Sequence, residues 1–171
     1  MTHSHHPISR TRVVLLFTLA AALFLWLLPA GTADAKSTRP GRCLSLSATG
    51  TGQDLGGGRT TAMIFVRGHA VGTTDAAFTI SGVTDGVATF DGEIVFTPLS
   101  AYGTLVAPVT GTFDLTTGAF TATSSSVTGT GRLSGVTGSV TIVGVQNLTT
   151  GAFTETLRTR LCGVVGHHRA Y

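Results

Sequence analysis

The sequence predicts an all-β protein, an antiparallel eight-stranded meander that closes into a barrel. Three observations predict it. First, the segment Leu115-Thr-Thr-Gly-Ala-Phe-Thr121 returns unchanged as Leu148-Thr-Thr-Gly-Ala-Phe-Thr154. Each copy follows an apolar run, Val109 to Phe113 or Val140 to Val145, and each is preceded by Asp114 or Asn147. Asp and Asn bond back to their own backbone, and Gly takes the positive φ that closes a loop, so each copy reads as a β-hairpin turn. Second, apolar and polar residues alternate. Leu105, Ala107, Val109, Gly111 and Phe113 share one parity, and Thr104, Thr110 and Thr112 the other. Phe153, Leu157 and Leu161 oppose Thr154, Thr156, Arg158 and Arg160. Period two of this kind makes a half-buried antiparallel sheet. Third, the only two cysteines stand near the two ends of the strand-forming region.

Taken from the N-terminus, residues 1–35 read as a secretory signal. Arg10 and Arg12 give the positive start, Val13 to Leu28 is apolar apart from Thr18, and Ala33-Asp34-Ala35 is an A-x-A cleavage site. The competing reading is a retained anchor, for which the run is short of the about 20 apolar residues a bilayer span needs. Arg10-Thr-Arg12 is not an adjacent arginine pair, so the general export route fits better than the twin-arginine one. Residues 36–42 form a polar mature arm. Strands are expected at Cys43 to Thr49, Thr60 to His69, Thr74 to Ser81, Val87 to Thr97, Gly103 to Phe113, Ala119 to Thr128, Arg132 to Val145, and Ala152 to Leu161. Gly56-Gly57-Gly58 and Asp85-Gly86 are turns between them. Pro108 falls inside a strand pattern and cannot donate a ladder hydrogen bond, so it belongs at a bulge or an unpaired site. Residues 163–171 are a tail. The barrel domain is thus 43–162.

Cys43 shares a face with Ser45 and Ser47, and Cys162 shares one with Arg158 and Arg160. Both therefore fall on the polar parity of their strands. In an exported chain an even pair is most simply a disulfide, the alternative being two buried thiols. The bond would make the first and last strands neighbours, and a meander whose ends meet is a barrel without exposed edges. The expected Cα separation is roughly 4.4–6.8 Å.

Charge and composition restrict the partners. Charged residues are 11% of the chain and the formal net charge is +3. A small excess of that size gives no basic patch for nucleic acid. Lys36, Arg39 and Arg42 are the densest basic stretch and read as a solvated arm. With the signal removed, no stable membrane anchor remains.

Side chains that suggest chemistry have ordinary readings as well. His3, His5 and His6 lie in the signal, and His167-His168 lie in the tail without the further ligands a closed metal site needs. His69, on the same predicted strand and parity as Arg67, would form an acid/base set with Asp75 or Glu93 if the barrel joined them, but no nucleophile motif accompanies it. Asp91 and Glu93 share a parity, and a turn or solvated face is preferred to a glycosidase pair. Ser124-Ser125-Ser126 is not a nucleophile elbow, and the glycines from Gly129 to Gly138 lack the Lys-Ser/Thr ending of a phosphate loop. Asn147-Leu148-Thr149 is a formal glycosylation acceptor and reads as the hairpin turn. The sequence thus names no catalytic, cofactor-binding or metal-binding residue and implies no cofactor.

The run Gly129-Thr-Gly-Arg-Leu-Ser-Gly-Val-Thr-Gly-Ser-Val140 resembles the glycine signature of the allene oxide cyclase and dirigent barrels. Gly129, Gly131, Gly135 and Gly138 carry the match, with Thr130, Leu133, Val136 and Val140. The flanking Phe90-Asp-Gly-Glu-Ile-Val-Phe-Thr97 and the repeated turns look like small secreted bacterial proteins of unassigned function with that barrel. The likeness covers about the last half of the chain. It implies a calycin-like antiparallel barrel of eight strands, trimeric in many of the plant proteins, which leaves a homo-oligomer open. The acidic residues those cyclases and the aromatic pocket residues dirigent proteins use do not align to this sequence. Two function classes follow: a secreted non-catalytic barrel that binds a small apolar ligand or serves as a structural or interaction module, or an isomerase/cyclase-type enzyme on the same barrel. The interior side chains discriminate between them.

Overall fold

The computed structural model describes residues 43–100 and 102–163. Over them the chain forms eight strands: β1 (Cys43–Gly56), β2 (Arg59–Val66), β3 (His69–Thr84), β4 (Val87–Pro98), β5 (Leu105–Asp114), β6 (Ala119–Gly129), β7 (Thr137–Gln146) and β8 (Ala152–Cys162). Every strand is antiparallel to its sequence neighbours, and β1 also pairs with β8, so the meander closes into a barrel. The only helical element among the described residues is a single 3-10 turn, Gly131–Leu133. No described helix is long and apolar enough to cross a membrane. The proposed signal, the arm, His3, His5, His6, His167 and His168 lie outside the described residues.

The predicted parities hold. Ala107 and Val109 on β5, and Phe153 and Leu157 on β8, are buried in the barrel, while Thr110, Thr112, Thr154, Thr156, Arg158 and Arg160 on the opposite parity are exposed. Three connections are two-residue turns with both central residues at positive φ: Gly57-Gly58, Arg67-Gly68 and Asp85-Gly86. Turns of this hand follow the right-handed twist of the strands they join. The two copies of the repeat form matching loops. Asp114 Oδ1 accepts from the N–H of Thr116 and Thr117, at 2.8 and 2.9 Å. Asn147 Oδ1 accepts from Thr149 and Thr150, at 2.9 and 3.0 Å. Gly118 and Gly151 both take φ 73° and return their N–H to the carbonyls of Asp114 and Asn147.

Several expected boundaries move. The strand expected to run to His69 ends at Val66, because Arg67 (φ 51°) and Gly68 form a turn and His69 opens β3. β1 and β3 are longer than predicted, since their Gly- and Thr-rich ends pair even without apolar alternation. β7 begins at Thr137 rather than Arg132. The segment before it folds into the 3-10 turn, where Gly129 donates to the Val136 carbonyl at 3.0 Å and Arg132 to the Tyr102 carbonyl at 2.7 Å. A Cβ at Gly129 or Gly138 would collide with the carbonyl of Leu133 or Arg160. The glycine signature is thus the connection that folds across one end of the barrel and buries Val136. Pro108 sits where the β5–β6 register shifts, between Val106 and Thr110. The matching extra residue lies in Ser124–Val127, so the serine run is a bulge, with Ser126 N–H donating to Ser124 Oγ at 3.2 Å.

Cys43 and Cys162 face each other in the β1–β8 ladder and are joined by a disulfide. Their Cα atoms are 3.9 Å apart, shorter than the expected range. Direct cross-strand pairing already brings opposed residues to about 4.5–5.5 Å, the low end of that range, and the disulfide joins this pair at a closer approach still.

Candidate functional site

The barrel interior has two halves. Toward the end crossed by the glycine-rich connection, Ile64, Ala107, Val109, Val127, Val140 and Leu157 fill the space. Toward the other end, that of the β1–β2, β3–β4, β5–β6 and β7–β8 turns, a cavity of about 330 Å³ remains. That is at the small end of ligand pockets, which run to about 300–1,000 Å³. Its wall carries Phe78, Phe90, Phe113, Phe120 and Phe153, with Ile94, Ala122 and Ile142 deeper in. Phe78 meets Phe90 edge to face at 5.0 Å, and Phe120 meets Phe153 at 5.9 Å, the arrangement ring quadrupoles favour.

The sequence makes this wall by pairing phenylalanine with glycine across strands. Phe78 stands opposite Gly92, Phe90 opposite Gly111, Phe120 opposite Gly144, and Phe153 opposite Gly52. A Cβ on any of these glycines would collide with the facing ring. Each ring therefore lies down over its neighbour's backbone, and the middle of the barrel stays open. The repeat contributes twice more. Its two leucines, Leu115 and Leu148, stand on the lip, and its two phenylalanines, Phe120 and Phe153, stand inside. The lip is apolar: Ile80, Leu115 and Leu148 are all exposed.

One acid sits in this wall. Glu155 lies on β8 between Phe153 and Leu157, at their inward parity. Its partners in the two flanking strands are both glycines, Gly50 on β1 and Gly144 on β7. A Cβ at Gly50 would come within 2.6 Å of Glu155 Oε1. Burial pushes the Glu155 carboxyl up to about 7, and among the described residues no hydrogen bond or charge offsets it. The cause is desolvation, which penalises the charged form. A second acid, Asp54, stands at the mouth. Its Oδ2 accepts from Gln146 Nε2 at 3.1 Å, and its Oδ1 from the N–H of Gly56 at 2.8 Å.

The carboxylates weighed as partners of His69 are not brought to it, and Asp91 and Glu93 share only the outer face. His69 is exposed at the Arg67-Gly68 end, opposite Val66, six residues along β3 from Asp75. That is about 20 Å at about 3.3 Å per residue. Asp75, Asp91 and Glu93 are exposed on the outer face, Glu93 opposite Ala77 and Pro108. The Asp91-Gly92 pair is mid-strand rather than a turn, with Gly92 under the Phe78 ring. No group of three or more His, Cys, Asp or Glu among the described residues is placed to hold a metal ion. Glu155 is the residue the sequence reading missed. Its signal was a lone carboxylate on the apolar parity of an alternating strand, at Phe153-Thr-Glu-Thr-Leu157.

Comparison with protein-family models finds no match, and comparison with curated proteins finds none either.

Proposed function

We propose that this is an exported, non-catalytic β-barrel that takes one small apolar molecule into the cavity at its turn end. The observation that carries the reading is the set of inward phenylalanines held against glycines around an open space. A barrel needed only as a rigid support would fill that half as it fills the other. The disulfide fits an oxidising compartment, as does the signal-like start. Assignment to the allene oxide cyclase and dirigent type of barrel rests on the glycine signature, and the connection built by Gly129, Gly131, Gly135 and Gly138 supports it. Assembly into homo-oligomers would follow from that assignment.

Titration of the purified protein with an apolar naphthalene fluorophore tests the binding reading. One saturable site per barrel is expected. Ala122→Phe or Ala76→Leu, each projecting into the cavity, should abolish it while leaving the β-sheet circular dichroism spectrum unchanged. Binding that survives both substitutions would place the ligand elsewhere and end this reading.

A second reading has one observation in its favour. A carboxyl held near neutrality in an apolar cavity suits proton transfer, so an isomerase or cyclase would use Glu155. Loss of a measured turnover in Glu155→Gln, with folding and ligand binding retained, would establish it.

A further inference from the structure

We infer that the cavity takes an apolar molecule bearing a single positive charge, an amine whose cationic head meets Glu155 while its body lies among the phenylalanines. This rests on the reading of the cavity as a ligand site and adds the charge class of the ligand. The first support is the sign of the lining. Among the described residues, its ionisable groups are Asp54 and Glu155, both acids, and no Lys, Arg or His lines it.

The second support is the state of Glu155. No hydrogen bond or ion pair reaches its carboxylate from the described residues, and burial is its only influence. An acid kept in an apolar wall with no partner costs stability that a hydrophobic side chain of the same size would not. The fold also clears space for it on both sides. Gly50 and Gly144 flank it, and a side chain at Gly50 would displace the carboxyl. Among the described residues, none of the groups around it is a cation. From β1 the facing acid is Asp54, already engaged by Gln146 and Gly56. From β7 the neighbours are Gly144 and the neutral Gln146. Arg158 and Arg160 of β8 itself are on the outer face.

The third support is aromatic. Ring faces attract cations and repel anions, and more so away from water. An apolar anion would meet two carboxylates and the ring faces together. A neutral ligand would gain the apolar burial and leave Glu155 without a partner. A cation satisfies all three features.

The test uses three naphthalene probes of one shape: naphthylmethylamine, naphthylmethanol and naphthoate. Their affinities for the purified protein are measured by calorimetry at about pH 8, above the range of Glu155, and at about pH 5, below it, the amine staying protonated at both. At the higher pH the amine should bind at least about tenfold tighter than the alcohol, a preference of ordinary size for a desolvated charge pair. Naphthoate should bind most weakly. The amine should lose about tenfold on acidification, as Glu155 takes up its proton, while the alcohol stays constant. Glu155→Gln should bring the amine to the level of the alcohol and leave the alcohol unchanged. Equal affinities of the amine and the alcohol for the unmodified protein at both pH values overturn the charge assignment and leave the apolar cavity standing. So does a preference for the amine that persists in Glu155→Gln. Failure of both probes to bind overturns the cavity reading and the inference with it. The pH profile needs no variant, so the test decides even if Glu155→Gln folds poorly.

Discussion

Glu155 is a side chain whose neighbours in sequence and in space argue for opposite environments. Phe153 and Leu157 share its parity and are buried, so the strand's alternation carries the acid inside the barrel. There it meets two glycines rather than a cation or a donor. The stability consequence has a definite sign. The carboxyl rises from its ordinary 4.5 to about 7 on folding. The folded protein therefore binds the proton more tightly than the unfolded chain. The neutral acid carries no penalty below about pH 4.5, and stability is lost as pH rises through about 7. At about 1.4 kcal/mol per pH unit the full loss is on the order of 3 kcal/mol. Glu155→Gln should remove it. The variant is expected to melt higher than the unmodified protein at about pH 8 and at the same temperature at about pH 4. Equal melting temperatures at both would mean that the carboxylate is solvated. The inward position was legible as a break in the alternation of β8. What placed it between Gly50 and Gly144 is closure of the barrel, which no local pattern contains.

At the scale of the elements, hairpins and cross-strand pairs divide the work. The turns were readable where their chemistry is conventional. Asp114 and Asn147 each accept two backbone N–H groups, and the same bonds from Thr117 and Thr116 hold the exposed Asp114 carboxyl below its ordinary value. The contribution of Asp114 is thus present above its usual range and fades as pH falls through the lowered value. Asp114→Asn, which copies the second hairpin, should remove that acid sensitivity and keep the turn. Arg67-Gly68 was missed because an arginine at positive φ is uncommon. That one misreading lengthened β2 and misplaced His69. The phenylalanine–glycine pairs were hidden for another reason. Each partner is visible in the sequence, but the register that sets Phe120 over Gly144 or Phe153 over Gly52 depends on pairing across the barrel. Gly144→Ala probes such a pair. Its Cβ would meet both the Phe120 ring and the Thr154 carbonyl, and a backbone oxygen in a closed barrel has little freedom to retreat. A loss of about 1–3 kcal/mol is expected, read as a lower denaturant midpoint. An unchanged midpoint would show that the ring can leave the glycine at no cost.

For the whole molecule, closure is the decisive event, and two devices secure it. The β1–β8 ladder runs without a register break from Cys43↔Cys162 to Gln53↔Ala152. The disulfide ties the last rung, bridging residues 119 apart in sequence. An even cysteine pair in a chain read as exported predicted the bond, their shared polar parity agreed with it, and the bond predicted the adjacency of the strands. The open half of the interior was not predictable in the same way, because volume depends on how four rings lie against glycines. The ladder and the disulfide act on different states. The ladder stabilises the folded barrel, whereas the bond mainly restricts the unfolded chain. For a loop of this size the chain-entropy model gives about 4–5 kcal/mol. Cys43→Ser combined with Cys162→Ser should therefore lower stability by up to that amount and leave the strand pairing intact, because the other β1–β8 rungs remain. Urea unfolding followed by circular dichroism reads the first quantity, and amide hydrogen exchange on β1 and β8 reads the second. A lower midpoint with full protection of Gly50 and Glu155 is the expected pair of results. Loss of protection confined to those two strands would show instead that the bond holds the barrel shut and that the ladder alone does not.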